Sequence, residues 1–177
     1  MRKIRLPLLS AAGCAALALA APLAFAGHLN PVLHADLDGR AEVSSSGNNA
    51  IAGDPRARGE VYMFGIDESP DVLCYTIVGV RRLAELDLAP GSGRAAHIHR
   101  GVNGQNGPVV ANLAWPQGGQ SADCLNGLTQ RARFAADVDP RTLIADILRN
   151  PQNYYVNVHN SAYPAGAIRG QLAPAQD

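Results

Sequence analysis

Short runs in which apolar and polar residues alternate, separated by clusters of Gly, Pro, Asn and Asp, cover most of this chain and predict strands joined by turns. Residues 34–39 and the following Ala41, Glu42 and Val43 read as a first strand bent at Gly39, and residues 44–54 as a small, polar loop. Two β-rich runs, 59–66 and 72–80, flank the turn-forming residues 67–71, which predicts a hairpin. Residues 95–100 read as a further strand, 101–107 as a glycine-rich turn and 108–113 as a returning strand. Residues 154–159 and 167–172, joined by a turn through 163–166, close the chain. One segment has helical periodicity instead. Leu143, Ile144, Ile147 and Leu148 form an apolar stripe behind Asp139 as N-cap and Pro140 at the first helical position, and Pro151 ends it. Many short strands with one short helix predict an all-β protein, an antiparallel β-sandwich or barrel, and of these the Greek-key, immunoglobulin-like β-sandwich is the expectation adopted.

The first residues follow another pattern. A basic start, Met1-Arg2-Lys3-Ile4-Arg5, leads into an apolar stretch that ends at Ala24-Phe25-Ala26 before Gly27, the form of a secretory signal peptide over residues 1–26. Pro7, Ser10, Gly13 and Pro22 interrupt the stretch, which favours removal over a retained membrane anchor. Lipoprotein processing at Cys14, after Ala11-Ala12-Gly13, is a competing reading. Cleavage before Gly27 leaves residues 27–177 as a single domain, secreted or periplasmic and free of the membrane.

Composition narrows the partners. Arg2, Lys3 and Arg5 fall in the leader, so 12 of the 15 basic residues stay in the mature chain against 15 acidic ones, a balance that argues against nucleic acid. Cys74 and Cys124 remain once Cys14 is gone. In an oxidising compartment the natural reading is one disulfide, with two free thiols as metal ligands the alternative.

The candidate chemistry lies in Ala96-His97-Ile98-His99 and Tyr155-Val156-Asn157-Val158-His159. Strand alternation puts His97 and His99 on one face, and Tyr155, Asn157 and His159 on one face of the other run. If the two strands pair, three imidazoles converge on the outer face of a sheet whose inner face is apolar, a platform for copper or zinc. His34 is a candidate fourth ligand from the first strand, and Asn157 and Tyr155 are candidates to fix the imidazole tautomers. Arg169 reads as an anion-directing or strand-pinning residue. A new amino terminus at Gly27 with the His28 ring would offer a separate square-planar copper set. No serine or cysteine has a spacing that recommends nucleophilic catalysis.

Ala96-His97-Ile98-His99-Arg100-Gly101, Asn106-Gly107-Pro108-Val109-Val110, Tyr154 to Asn160 and Gly166 to Leu172 together resemble the chordin-type (CHRD) domain over about residues 33–173. The resemblance implies an extracellular β-sandwich module. A weaker resemblance is to copper-zinc superoxide dismutase, in the chain order of His97, His99, His159 and Arg169. This chain has no evident bridging histidine, no zinc cluster and no Cys near Arg169. The readings that follow are a binding module with a three-histidine site for copper or zinc, a copper-dependent redox enzyme of the dismutase kind, and a metal-free structural or adhesive module that recognises an extracellular protein partner.

Overall fold

The computed structural model describes residues 31–46, 51–84 and 96–176. The expected signal peptide, Cys14 and His28 lie outside the described residues.

Among the described residues nine strands form one antiparallel sheet: β1 (Leu33–Asp38), β2 (Arg58–Ile66), β3 (Ser69–Arg81), β4 (Ala96–Arg100), β5 (Val109–Leu113), β6 (Ser121–Asn126), β7 (Tyr154–Val158), β8 (Ile168–Gln171) and β9 (Ala173–Pro174). Their hydrogen-bonded order is β5-β4-β7-β8-β1-β2-β3-β6, with β9 against β1. The path curls into a nearly closed, barrel-like sheet, and the all-β antiparallel architecture with one helix agrees with the pattern of the sequence. The seam between β5 and β6 is spanned by side chains. Arg133 donates from Nε to Asn112 O (3.0 Å) on β5 and from Nη1 to Asp123 Oδ2 (2.9 Å) on β6.

Alternation decides what faces inward. Leu33, Leu37, Val61, Met63, Leu73, Ile77, Ile98, Val156, Val158 and Ile168 are fully buried along one face of their strands. The helix α1 (Pro140–Arg149) lays its stripe, Leu143, Ile144 and Ile147, against this core. Asp139 accepts from Arg141 N as its cap (3.0 Å).

Local differences from the sequence reading have identifiable causes. The 59–66/72–80 hairpin turns on Asp67 and Glu68 alone, with Glu68 at φ 63, so pairing resumes at Ser69 rather than after residue 71. No strand continues through Ala41–Val43. Gly39 starts a 3-10 turn, because a Cβ there would fall 1.8 Å from Asp54 O and the chain must bend around that segment. The pattern also gave no strand at Ser121–Asn126, where Leu125 is the only fully buried side chain and an edge strand needs little more.

Candidate metal centre

β4 and β7 do pair, with His97 opposite Asn157 and His99 opposite Tyr155. Ala96, Ile98, Val156 and Val158 therefore enter the core, and the histidines take the other face. His159 follows directly on β7, fixed by Trp115 Nε1 donating to its carbonyl (2.9 Å). One ring nitrogen from each of His97, His99 and His159 lies within 4.8 Å of the other two. The ring centroids are 5.7 Å apart for His97 and His99, 4.9 Å for His97 and His159, and 6.3 Å for His99 and His159.

Backbone carbonyls set two of the tautomers. His99 Nδ1 is 2.9 Å from Gly107 O, and His159 Nδ1 is 3.0 Å from Pro164 O. A carbonyl oxygen only accepts, so each Nδ1 carries the proton and donates it, and each neutral ring keeps its lone pair on Nε2. Both Nε2 atoms are buried without a hydrogen-bond partner. Each such atom costs about 1–3 kcal/mol, and two in one cluster fit an electron-pair acceptor between the rings. Burial pushes His99 down to about 4 against the opposing Gly107 bond, with His159 and Arg169 adding to the fall. Burial also lowers His159, against its bond to Pro164. Both rings are neutral near pH 7, the form a metal takes. On a tetrahedral ion with bonds of about 2.0 Å the three nitrogens would sit about 3.3 Å apart, closer than the 4.8 Å within which they lie here.

This face of the sheet is not the open outer surface that strand alternation alone suggests. The 101–107 loop covers it. Tyr155 stacks on His99 (centroids 4.7 Å, interplanar 11°) from the neighbouring strand. From the strand on the other side of Tyr155, the Arg169 guanidinium lies 3.4 Å from the same ring's centroid. Arg169 is 2 % exposed and donates to Gln105 O (2.7 Å), to Val102 O and to Asn106 Oδ1, which ties the loop down. Gly107 N donates to the Tyr155 hydroxyl (3.1 Å), and a Cβ on Gly107 would fall 1.7 Å from Arg100 O, so only glycine brings this carbonyl to His99.

Asn157 donates to Glu42 Oε2 (3.3 Å), not to a histidine. Glu42, absent from the sequence reading of the site, is buried beside Asn157, and desolvation raises it to about 7 against the opposing effects of Arg169 and Asn157. Gly166, at φ 139, makes room for this group, since its Cβ would stand 2.6 Å from both Glu42 carboxylate oxygens. His34 lies outside the cluster. Its ring is 4.7 Å from Tyr62 and its Nε2 is 3.8 Å from Asp36 Oδ1. Cys74 and Cys124 form a disulfide and are not ligands. No signal in the sequence identified Glu42 or the carbonyls of Gly107 and Pro164, because a backbone acceptor has no residue type.

No helix among the described residues is long and apolar enough to cross a membrane. The CHRD domain family model matches residues 33–172. No curated protein and no solved structure matches the chain.

Proposed function

The chain belongs to the CHRD family, and on that premise we propose that it is a secreted, non-enzymatic binding module whose His97, His99 and His159 hold one transition-metal ion, copper before zinc. The observation that carries this reading is the pair of buried, proton-free Nε2 atoms on His99 and His159 beside His97. Neutral imidazole suits both metals, and three protein ligands leave a fourth position for water or a ligand. Asn157 and Arg169 hold Glu42 and the 101–107 loop around the ligands, the role their hydrogen bonds support. Signal-peptide cleavage before Gly27 and export to the periplasm or medium complete the reading, and the disulfide is consistent with them.

A metal-free module is the second reading. The 4.8 Å spread of the nitrogens favours it, being wider than a bound ion allows. Elemental analysis of mature protein purified without chelator or histidine tag decides between them. About one copper or zinc per chain is expected in the wild type after loading, with loss in His97→Ala/His99→Ala. Loading is also expected to raise the melting temperature of the wild type alone. Equal metal content in both proteins overturns the proposal.

A further inference from the structure

Among the described residues, Arg56, Arg58, Arg81 and Arg82 line a pocket of about 260 Å³. Three features of the backbone bring them together. Arg56 and Arg58 are two residues apart. On β3 the register slips, so that Glu60 faces Val78 but Arg58 faces Arg81, a one-residue bulge at Gly79, whose φ is 61. Without that extra residue Arg58 would face Val80, and Arg58 and Arg81 would not be cross-strand partners. Arg82 then takes φ 59, a left-handed conformation uncommon for a residue with a side chain. In an extended strand Arg81 and Arg82 would point to opposite faces, whereas this turn lets both line one pocket.

Like charges placed directly opposite on paired strands repel, and a strained backbone has a cost of its own. Neutralisation is incomplete. Arg58 pairs with Asp38 at 3.0 Å, and Arg56 lies 3.8 Å from Asp54. No carboxylate pairs with Arg81 or Arg82 among the described residues. Arg58 and Arg81 also line the neighbouring groove, which carries Asp36, Asp38 and Glu60, whereas Arg56 and Arg82 line this pocket alone. The guanidinium fork matches the oxygens of sulfate and phosphate, and several forks around one pocket match a tetrahedral ion better than a planar carboxylate. We propose that Arg56, Arg58, Arg81 and Arg82 form a binding site for a sulfate or phosphate group, separate from the histidine centre.

The group has two sources, a free ion or an ester carried on a polymer. Calorimetry in chloride buffer with inorganic sulfate, inorganic phosphate and dextran sulfate separates them, with polygalacturonate as the carboxylate polymer and Arg81→Gln/Arg82→Gln as the variant. Both arginines are exposed, so the variant is expected to fold, as a thermal melt checks. Affinity is expected to fall about tenfold or more on loss of two charge-assisted contacts, and to weaken with added salt. Arg141→Gln/Arg149→Gln, which removes the same charge elsewhere, is expected to bind as the wild type does. Binding of the inorganic ions alone assigns a free-ion site, and stronger binding of dextran sulfate assigns an ester. Absence of binding to all three probes, equal binding of polygalacturonate, or equal losses in the two variants overturns the proposal.

Discussion

Glu42 carries a carboxyl group beneath the covered face with Asn157 and Arg169 as its polar neighbours, and burial holds it at about 7 instead of 4.5. Below pH 4.5 the group is protonated in folded and unfolded chains alike. Between 4.5 and 7 the unfolded chain has released the proton while the folded one keeps it, so stability falls as pH rises, by on the order of 3 kcal/mol in all. Glu42→Gln removes this dependence. Denaturation midpoints at pH 4.5, 6, 7 and 8 are expected to show the variant gaining on the wild type as pH rises, and parallel curves would refute the assignment. The histidines at this scale were readable because strand spacing is a period of two. Their tautomers were not, since those depend on the Gly107 and Pro164 carbonyls.

At the scale of the element, β6 shows how an edge strand is retained without much apolar area. Five of its six residues face solvent wholly or in part, and Leu125 alone is buried. Cys74 and Cys124 face one another across β3 and β6, so the disulfide joins the edge to its neighbour directly. Closing a loop of 50 residues contributes on the order of 4 kcal/mol in the chain-entropy account. Cys74→Ser/Cys124→Ser is expected to lose about that much stability, and hydrogen exchange is expected to show β6 opening before β1 or β7. Uniform loss of protection across the sheet would refute this local role. The cysteines pointed to a bond in the sequence but not to a strand, because Ser121–Asn126 buries too little to show a pattern. The helix was legible throughout, since its cap, stripe and stop are all local signals.

Across the whole molecule the sheet leaves one seam, and Arg133 bridges it between Asn112 on β5 and Asp123 on β6. Arg133 Nη2 also reaches the Tyr75 hydroxyl (3.4 Å), while that hydroxyl accepts from Ala114 N (2.6 Å). Arg133→Ala leaves these acceptors partly unmet and is expected to cost about 2 kcal/mol. Faster exchange at β5 and β6 than in the wild type is the accompanying signature, and a stability change shared evenly by all strands would count against it.

The sequence by itself determined the strand-rich, one-helix character, the placement of His97 and His99 on one face, the core residues between them, and the family motifs, because each depends on neighbours a few residues apart. Only the tertiary structure decided what covers that face. Arg169, 72 residues after His97 in the chain, ties down the 101–107 loop, Glu42 arrives from beside β1, and His159 joins the pair only because β7 lies against β4. The same holds for the four arginines, which a bulge and a left-handed residue bring together. Alternation along a strand fixes which way a side chain points, but the partner it meets depends on register and chain path, which local pattern does not encode.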